Sequence, residues 1–230
     1  DNAFLFKVMA REIAHHKGYL CTFMDKPIST RGGSGTHVNF SLAREGRNVF
    51  EDTTTDDGVS EIAKRCIAGL IAHHEGMAAI AAPTVNGYRR LRAGQLSGYW
   101  ANWGYDHRGV AVRVPPERGP RTRLEHRLGG ASCAPHQAAA ATLQAARLGF
   151  VNDLDPPPAE TQDCLENVST DRSVSRDLAA ALDDLEADKE FVEAFSPDFV
   201  AAFTVVKRAE WERFRAHTTD WELSEYLHFL

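Results

Sequence analysis

The run Arg121-Thr122-Arg123-Leu124-Glu125-His126-Arg127 places the tightest restriction on how this chain can fold. In extended backbone, successive side chains alternate between faces. Arg121, Arg123, Glu125 and Arg127 then share one face, and Thr122, Leu124 and His126 take the other. Three guanidinium groups and a carboxylate on one strip of sheet repel one another or need partners, because burying unpaired charge is costly. Two settings satisfy the strip. One is a solvated edge strand whose charges oppose aggregation. The other is a site for an anion, or for a metal with an anion: the arginine fork matches phosphate and carboxylate, and glutamate suits a hard cation such as Mg²⁺.

A second stretch favours the site. Ser29 to Gly35 holds three glycines, which let backbone approach a ligand and present its N–H groups. Thr36 to Leu42 then alternates, with His37, Asn39 and Ser41 on one face and Val38, Phe40 and Leu42 on the other. That pattern is a half-buried strand whose polar face carries an imidazole able to bind metal, an amide and a hydroxyl.

Around these strands the chain reads as helical. Residues 3–17 form an amphipathic helix stopped by Gly18, and Tyr19 to Met24 an apolar run that reads as a buried strand. Arg44 to Asp57 is a polar loop. Val59 to Ala81 is one long helix ended by Pro83, with His73-His74-Glu75 on its surface. Val110 to Val114 is an apolar strand. Pro135 opens an Ala-rich helix that runs to about Leu148 and is stopped by Gly149. The polar run from Asp155 to Ser173 reads as a mobile loop. Ser175 and Ser196-Pro197 start two further helices, and Thr219-Asp220-Trp221-Glu222 is a capping box opening a last one.

Charge narrows the function. A formal net charge of -6 argues against a nucleic-acid footprint, while the arginines gathered between Arg89 and Arg127 suit a small anionic substrate. No apolar run approaches the roughly 18 residues of a membrane span. The four scattered cysteines contain no CxxC pair, so reduced thiols in a cytoplasmic protein are expected.

Taken together, several blocks resemble the C-terminal catalytic domain of the glutamine synthetase family. They are Thr22 to Pro27, Gly33 to His37 with Ser41-Leu42, Pro83 to Leu91, His107-Arg108 through Pro115, Arg123 to Arg127, and Thr219 to Glu222 with Tyr226-Leu227. The resemblance implies an α+β fold, a curved antiparallel sheet backed by helices, with residues 1–230 as catalytic domain. It implies that a β-grasp domain and further metal-ligating glutamates precede Asp1, so that this chain alone should not turn over. It also implies a cytoplasmic homo-oligomeric ring, a dodecamer, with sites between subunits.

The reaction implied is ATP-dependent joining of the glutamate γ-carboxylate to an amine through γ-glutamyl phosphate, with Mg²⁺ or Mn²⁺. By position, His37 and Glu125 correspond to metal ligands, and Arg113, Arg123, Ser41 and Asn39 to the nucleotide region. Arg108 corresponds to the residue that stabilises the transferring phosphoryl group, and Gly33, Arg90 and Arg127 to glutamate contacts. Arg121 acquires no role. Two departures stand out. Asn39 replaces a second family histidine, and Leu96 replaces the family's ammonium-binding glutamate. An apolar group there removes the charge that favours NH₄⁺, so a substituted amine is expected as acceptor. A true glutamine synthetase using ammonia and a non-catalytic structural member of the family are the alternatives.

Overall fold

The computed structural model describes residues 1–229. The chain opens with helix α1 (Asn2–His16) and, after a glycine loop, strand β1 (Val38–Phe40). A small hairpin, β2 (Ala43–Arg44) and β3 (Arg47–Asn48), leads to α2 (Glu61–Ala72), α3 (His74–Ala81) and α4 (Gly87–Arg90). Strands β4 (Trp103–Tyr105), β5 (Val112–Val114) and β6 (Leu124–His126) follow. The rest is helical: α5 (Pro135–Val151), α6 (Leu178–Ala187), α7 (Lys189–Phe195), α8 (Pro197–Arg215) and α9 (Asp220–Tyr226).

Four strands form one sheet in the order β1-β6-β5-β4. The β1/β6 and β6/β5 pairs are antiparallel, and β5/β4 is parallel, the one departure from the expected antiparallel sheet. Register decides what each face carries. Asn39 lies opposite Glu125, and Glu125 opposite Arg113, so a polar row crosses three strands. The other face carries Phe40 beside Leu124 and Val112 beside His126. Leu124, Val112 and Val114 are buried in one cluster with Ile67 and Leu70 of α2 and Ala141, Ala145 and Leu148 of α5. The sheet thus has a core side backed by helices and a polar side, the α+β layering the sequence predicts.

Backing is close because α2 and α5 cross glycine to glycine. A Cβ on Gly69 would lie 2.1 Å from the Ala145 carbonyl oxygen, and one on Gly149 2.1 Å from that of Arg65. Gly149 therefore does not stop α5, which continues to Val151. Its missing side chain is what allows the contact.

Other expectations change too. Tyr19 to Met24 forms no strand and Leu20 is 95 % exposed, because no strand edge among the described residues pairs with it. The helix expected over 59–81 breaks at His73, whose Nδ1 donates to Asp188 at 2.8 Å. Gly76 supplies the room: a Cβ there would meet the Asp188 carboxylate at 2.7 Å. His73 and His74 are consequently buried and do not form a helix surface. Within the expected loop from Arg44 to Asp57, the short hairpin forms and Phe50 is buried in the core. Arg121 ends a 3₁₀ turn (Gly119–Arg121), so it leaves the charged face that Glu125 occupies. Helix α6 is capped by Asp177, not Ser175. The capping box at Thr219 and Glu222 forms as expected. Among the described residues no helix is long and apolar enough to cross a membrane.

Candidate active site

The polar face of the sheet gathers the charged residues around Glu125. Its Oε1 accepts from His37 Nδ1 at 2.9 Å and from Arg127 Nη1 at 3.2 Å, and its Oε2 from Arg113 Nη1 at 2.8 Å. The second Nη of Arg113 bonds Asp106, and that of Arg127 bonds the Arg108 carbonyl at 3.1 Å. Glu125 and Arg127 are buried by the strands on either side and by the 97–98 turn, so the ion pairs are held away from water.

These neighbours fix protonation. Burial alone would raise the Glu125 carboxyl, but the Arg113 hydrogen bond, the Arg127 charge and the His37 hydrogen bond outweigh it and hold it below the usual range. Burial, helped by Arg127, lowers the His37 imidazole, leaving it neutral near pH 7. Since a carboxylate only accepts, His37 Nδ1 carries the proton and Nε2 keeps a lone pair. On the far side of β6, burial pushes His126 down to about 3, with His74 and His37 adding to it. Thr142 donates its one hydroxyl proton to the Ala138 carbonyl at 2.8 Å, so it accepts from His126 Nδ1 at 2.9 Å. That bond ties β6 to α5 directly behind Glu125.

A neutral imidazole and an ionised carboxylate in contact are suitable donors for a divalent ion. Between them they offer two donors, and no group of three His, Cys, Asp or Glu side chains able to hold a metal occurs among the described residues.

The remaining candidates fall on two sides of this centre. Towards the strand ends, Arg123 Nε donates to Asn39 at 3.4 Å, and its Nη1 pairs with Glu117 at 3.2 Å. Arg108 is exposed, and among the described residues its guanidinium has no partner. Ser41 is exposed beyond the end of β1 and makes no hydrogen bond to the other candidates.

On the other side lies a cavity of about 600 Å³, lined by Gly32, Gly33, Gly35, His37, Arg90, Leu96 and Leu165 among others. Arg90 is 7 % exposed. Its Nη2 donates to the carbonyls of Leu128 at 2.6 Å and Gly129 at 2.8 Å, and its Nη1 to Ser97 at 3.3 Å. Gly33 is packed so tightly that a Cβ would lie 2.7 Å from Arg90 Cγ and 2.8 Å from the Asp25 carbonyl oxygen. The glycine loop is therefore pressed onto the arginine, with no side chain between them. Leu96 is 56 % exposed on the same cavity.

The structure thus brings His37, Glu125, Arg113 and Arg127 into one network, sets Asn39 with Arg123 and Gly33 with Arg90 beside it, and leaves Ser41 apart. Three acidic partners were not legible from motif spacing: Asp106 on Arg113, Glu117 on Arg123, and the buried Asp25 beneath Gly33. For Asp106 a signal existed, an acid at the end of one strand whose neighbour carries an arginine.

Comparison with known proteins identifies the family. Residues 1–226 match the family model "Glutamine synthetase, catalytic domain". A glutamine synthetase of Methanosarcina mazei is 34 % identical over 236 residues, covering 100 % of this chain and 53 % of that protein. A glutamate–methylamine ligase of Methyloversatilis universalis is 37 % identical over 240 residues, covering 100 % of this chain and 54 % of its own. A solved structure described as a GmaS/ADP complex superposes with a TM-score of 0.88 at 31 % identity, over 99 % of this chain and 54 % of that one. The chain spans about half the length of the curated relatives it matches. By the length of these matches and the fold they share, the chain belongs to the glutamine synthetase family.

Proposed function

We propose that this chain is the catalytic-domain portion of an ATP-dependent ligase that joins the γ-carboxylate of glutamate to an amine, and that a substituted amine is preferred to ammonia. The carboxylate attacks the terminal phosphate of ATP, giving γ-glutamyl phosphate and ADP. The amine then attacks the acyl carbon, expels phosphate and loses a proton to give the amide. As the family resemblance implies, the enzyme works in the cytoplasm as a homo-oligomeric ring with sites between subunits.

In this reading Arg90, Gly33 and Arg127 hold glutamate. Arg90 is fixed by three carbonyls, so its orientation is set before substrate arrives. Arg113, Arg123 and Asn39 face the nucleotide phosphates, and Ser41 lies on the nucleotide side. The free guanidinium of Arg108 meets the charge that develops on the transferring phosphoryl group. His37 and Glu125 contribute two ligands to a Mg²⁺ or Mn²⁺ ion, which when bound neutralises phosphate charge.

One observation carries the amine preference. Leu96 and Leu165 line the same cavity as His37 and Arg90, so the acceptor meets apolar side chains where a carboxylate would favour NH₄⁺. The methylamine named for one relative has that character. The test is an ATP-dependent phosphate-release assay on the full-length protein with ammonia and a panel of alkyl, aryl and polyamines. A substituted amine should give the highest kcat/KM. Leu96→Glu should shift the ratio towards ammonia by about fourfold, the scale of one lost apolar methylene contact near 0.8 kcal/mol. Ammonia outcompeting every amine in the unaltered enzyme would instead identify a true glutamine synthetase.

A further inference from the structure

We infer that Asp25 is a positioning residue for glutamate, an anchor that joins the glycine loop, Arg90 and the 128–132 turn into one rigid floor. The inference rests on the proposed reading of Gly33 and Arg90 as glutamate contacts. Asp25 is fully buried. Its Oδ1 accepts from the Ser132 N–H at 2.8 Å and its Oδ2 from the Ser132 hydroxyl at 2.7 Å. Its carbonyl accepts from Ser34 at 2.8 Å, which closes the loop that carries Gly33.

The space around the carboxylate is made by absent side chains. A Cβ on Gly130 would lie 2.4 Å from Oδ2, and one on Gly87, at the start of α4, 3.0 Å from it. The same turn is tied to the loop twice more, by Ala131 N–H donating to the Ser34 carbonyl at 3.1 Å and Thr36 N–H to that of Gly129 at 2.8 Å. Arg90 closes the circuit through the carbonyls of Leu128 and Gly129.

Charge adds to shape. A buried carboxylate is costly unless partnered, and among the described residues Asp25 forms no direct ion pair. Its negative charge acts on Arg90 through the turn. Burial lowers the Arg90 guanidinium, and Asp25 is the largest influence in the opposite direction. The floor therefore holds a cation balanced by Asp25, with three of its N–H groups given to carbonyls and its buried Nε–H still without a partner, leaving donors for a substrate carboxylate on the cavity that Arg90 lines.

The test uses the full-length enzyme. Asp25→Asn keeps the shape and one acceptor but removes the charge, and Ser132→Ala keeps the charge but loosens it. Asp25→Asn should raise the glutamate KM by about tenfold, the scale of a charge interaction across a few ångströms of protein. The ATP KM should stay within about twofold, and the thermal midpoint should hold. Ser132→Ala should raise the glutamate KM alone, by less. An unchanged glutamate KM in Asp25→Asn overturns the inference. So does a parallel rise for both substrates, which marks general loosening. If Asp25→Asn does not fold, Ser132→Ala decides by the same criteria. Arg90→Gln separates the two levels. If it too leaves the glutamate KM unchanged, the glutamate-site reading is at fault. If it raises the KM while Asp25→Asn does not, only the role of Asp25 fails.

Discussion

Replacing Gly69 with alanine sets two opposed effects against each other, and the structure decides which is larger. Gly69 is inside α2, where alanine gains about 1 kcal/mol in helix propensity. The new methyl, however, would lie 2.1 Å from the Ala145 carbonyl oxygen and 2.5 Å from the Gly149 nitrogen, both backbone atoms of α5. Neither can rotate away, so the helices must separate by roughly 1 Å. A gap of that size forfeits a quarter to a half of the dispersion energy along the seam. The seam involves the side that carries Cys66, Ile67, Leu70, Ala141, Ala145 and Leu148. With ordinary overpacking near 1–3 kcal/mol and the lost packing added, the net cost should be about 2–3 kcal/mol. For a domain of this size that lowers Tm by roughly 5–10 °C. Thermal unfolding followed by far-UV circular dichroism reads it directly. Gly149→Ala should cost a similar amount, and the double variant less than the sum, since both methyls force the same separation. A Gly69→Ala protein as stable as its parent would refute the reasoning, because propensity would then have outweighed contact.

Other outcomes follow from single buried groups. Thr142→Val removes the acceptor for His126 Nδ1 behind Glu125. An unsatisfied buried donor costs about 1–3 kcal/mol, and urea unfolding at pH 7 should show that loss. Glu160 accepts from Ser169 N–H at 2.8 Å, its hydroxyl at 2.7 Å and Gln162 N–H at 3.0 Å. Burial alone would raise its carboxyl, but these donors hold it at about 2. A depressed folded pKa gives stability that is complete above the ordinary carboxylate range and disappears as pH falls towards 2, here roughly 3 kcal/mol. Hydrogen-exchange protection across 160–170, corrected for the intrinsic fall of the exchange rate with pH, should therefore drop between pH 4.5 and 2.5 in the parent. Glu160→Gln should remove that dependence, and an identical acid profile in the variant would contradict the assignment.

What the sequence shows and what it hides follow the same physics. Helix ends announced by local chemistry were legible: Pro135 at the first turn of α5 and the Thr219–Glu222 box need only their neighbours in sequence. Alternation in two stretches also placed His37, Asn39 and Glu125 on polar faces, and β1/β6 pairing then joined those faces. Features set by distant partners were not legible. Tyr19 to Met24 reads as a strand but has no edge to join. The His73 break depends on Asp188, 115 residues away. Gly149 looks like a stop signal because only the α2 crossing reveals why it lacks a side chain. Nothing near Asp25 in sequence shows that its carboxylate is met by Ser132, 107 residues away.

Among the five arginines assigned to substrate, Arg90, Arg113, Arg123 and Arg127 are each held by carbonyls or carboxylates, while Arg108 has no side-chain partner among the described residues. Immobilising a long side chain costs up to about 2 kcal/mol of rotamer entropy. For four guanidinium groups that loss occurs during folding, before any ligand is met. For Arg108, in the proposed function, it falls within the catalytic cycle. Its ordering and release can therefore recur with every turnover, which makes this one side chain a moving part on an otherwise preset surface.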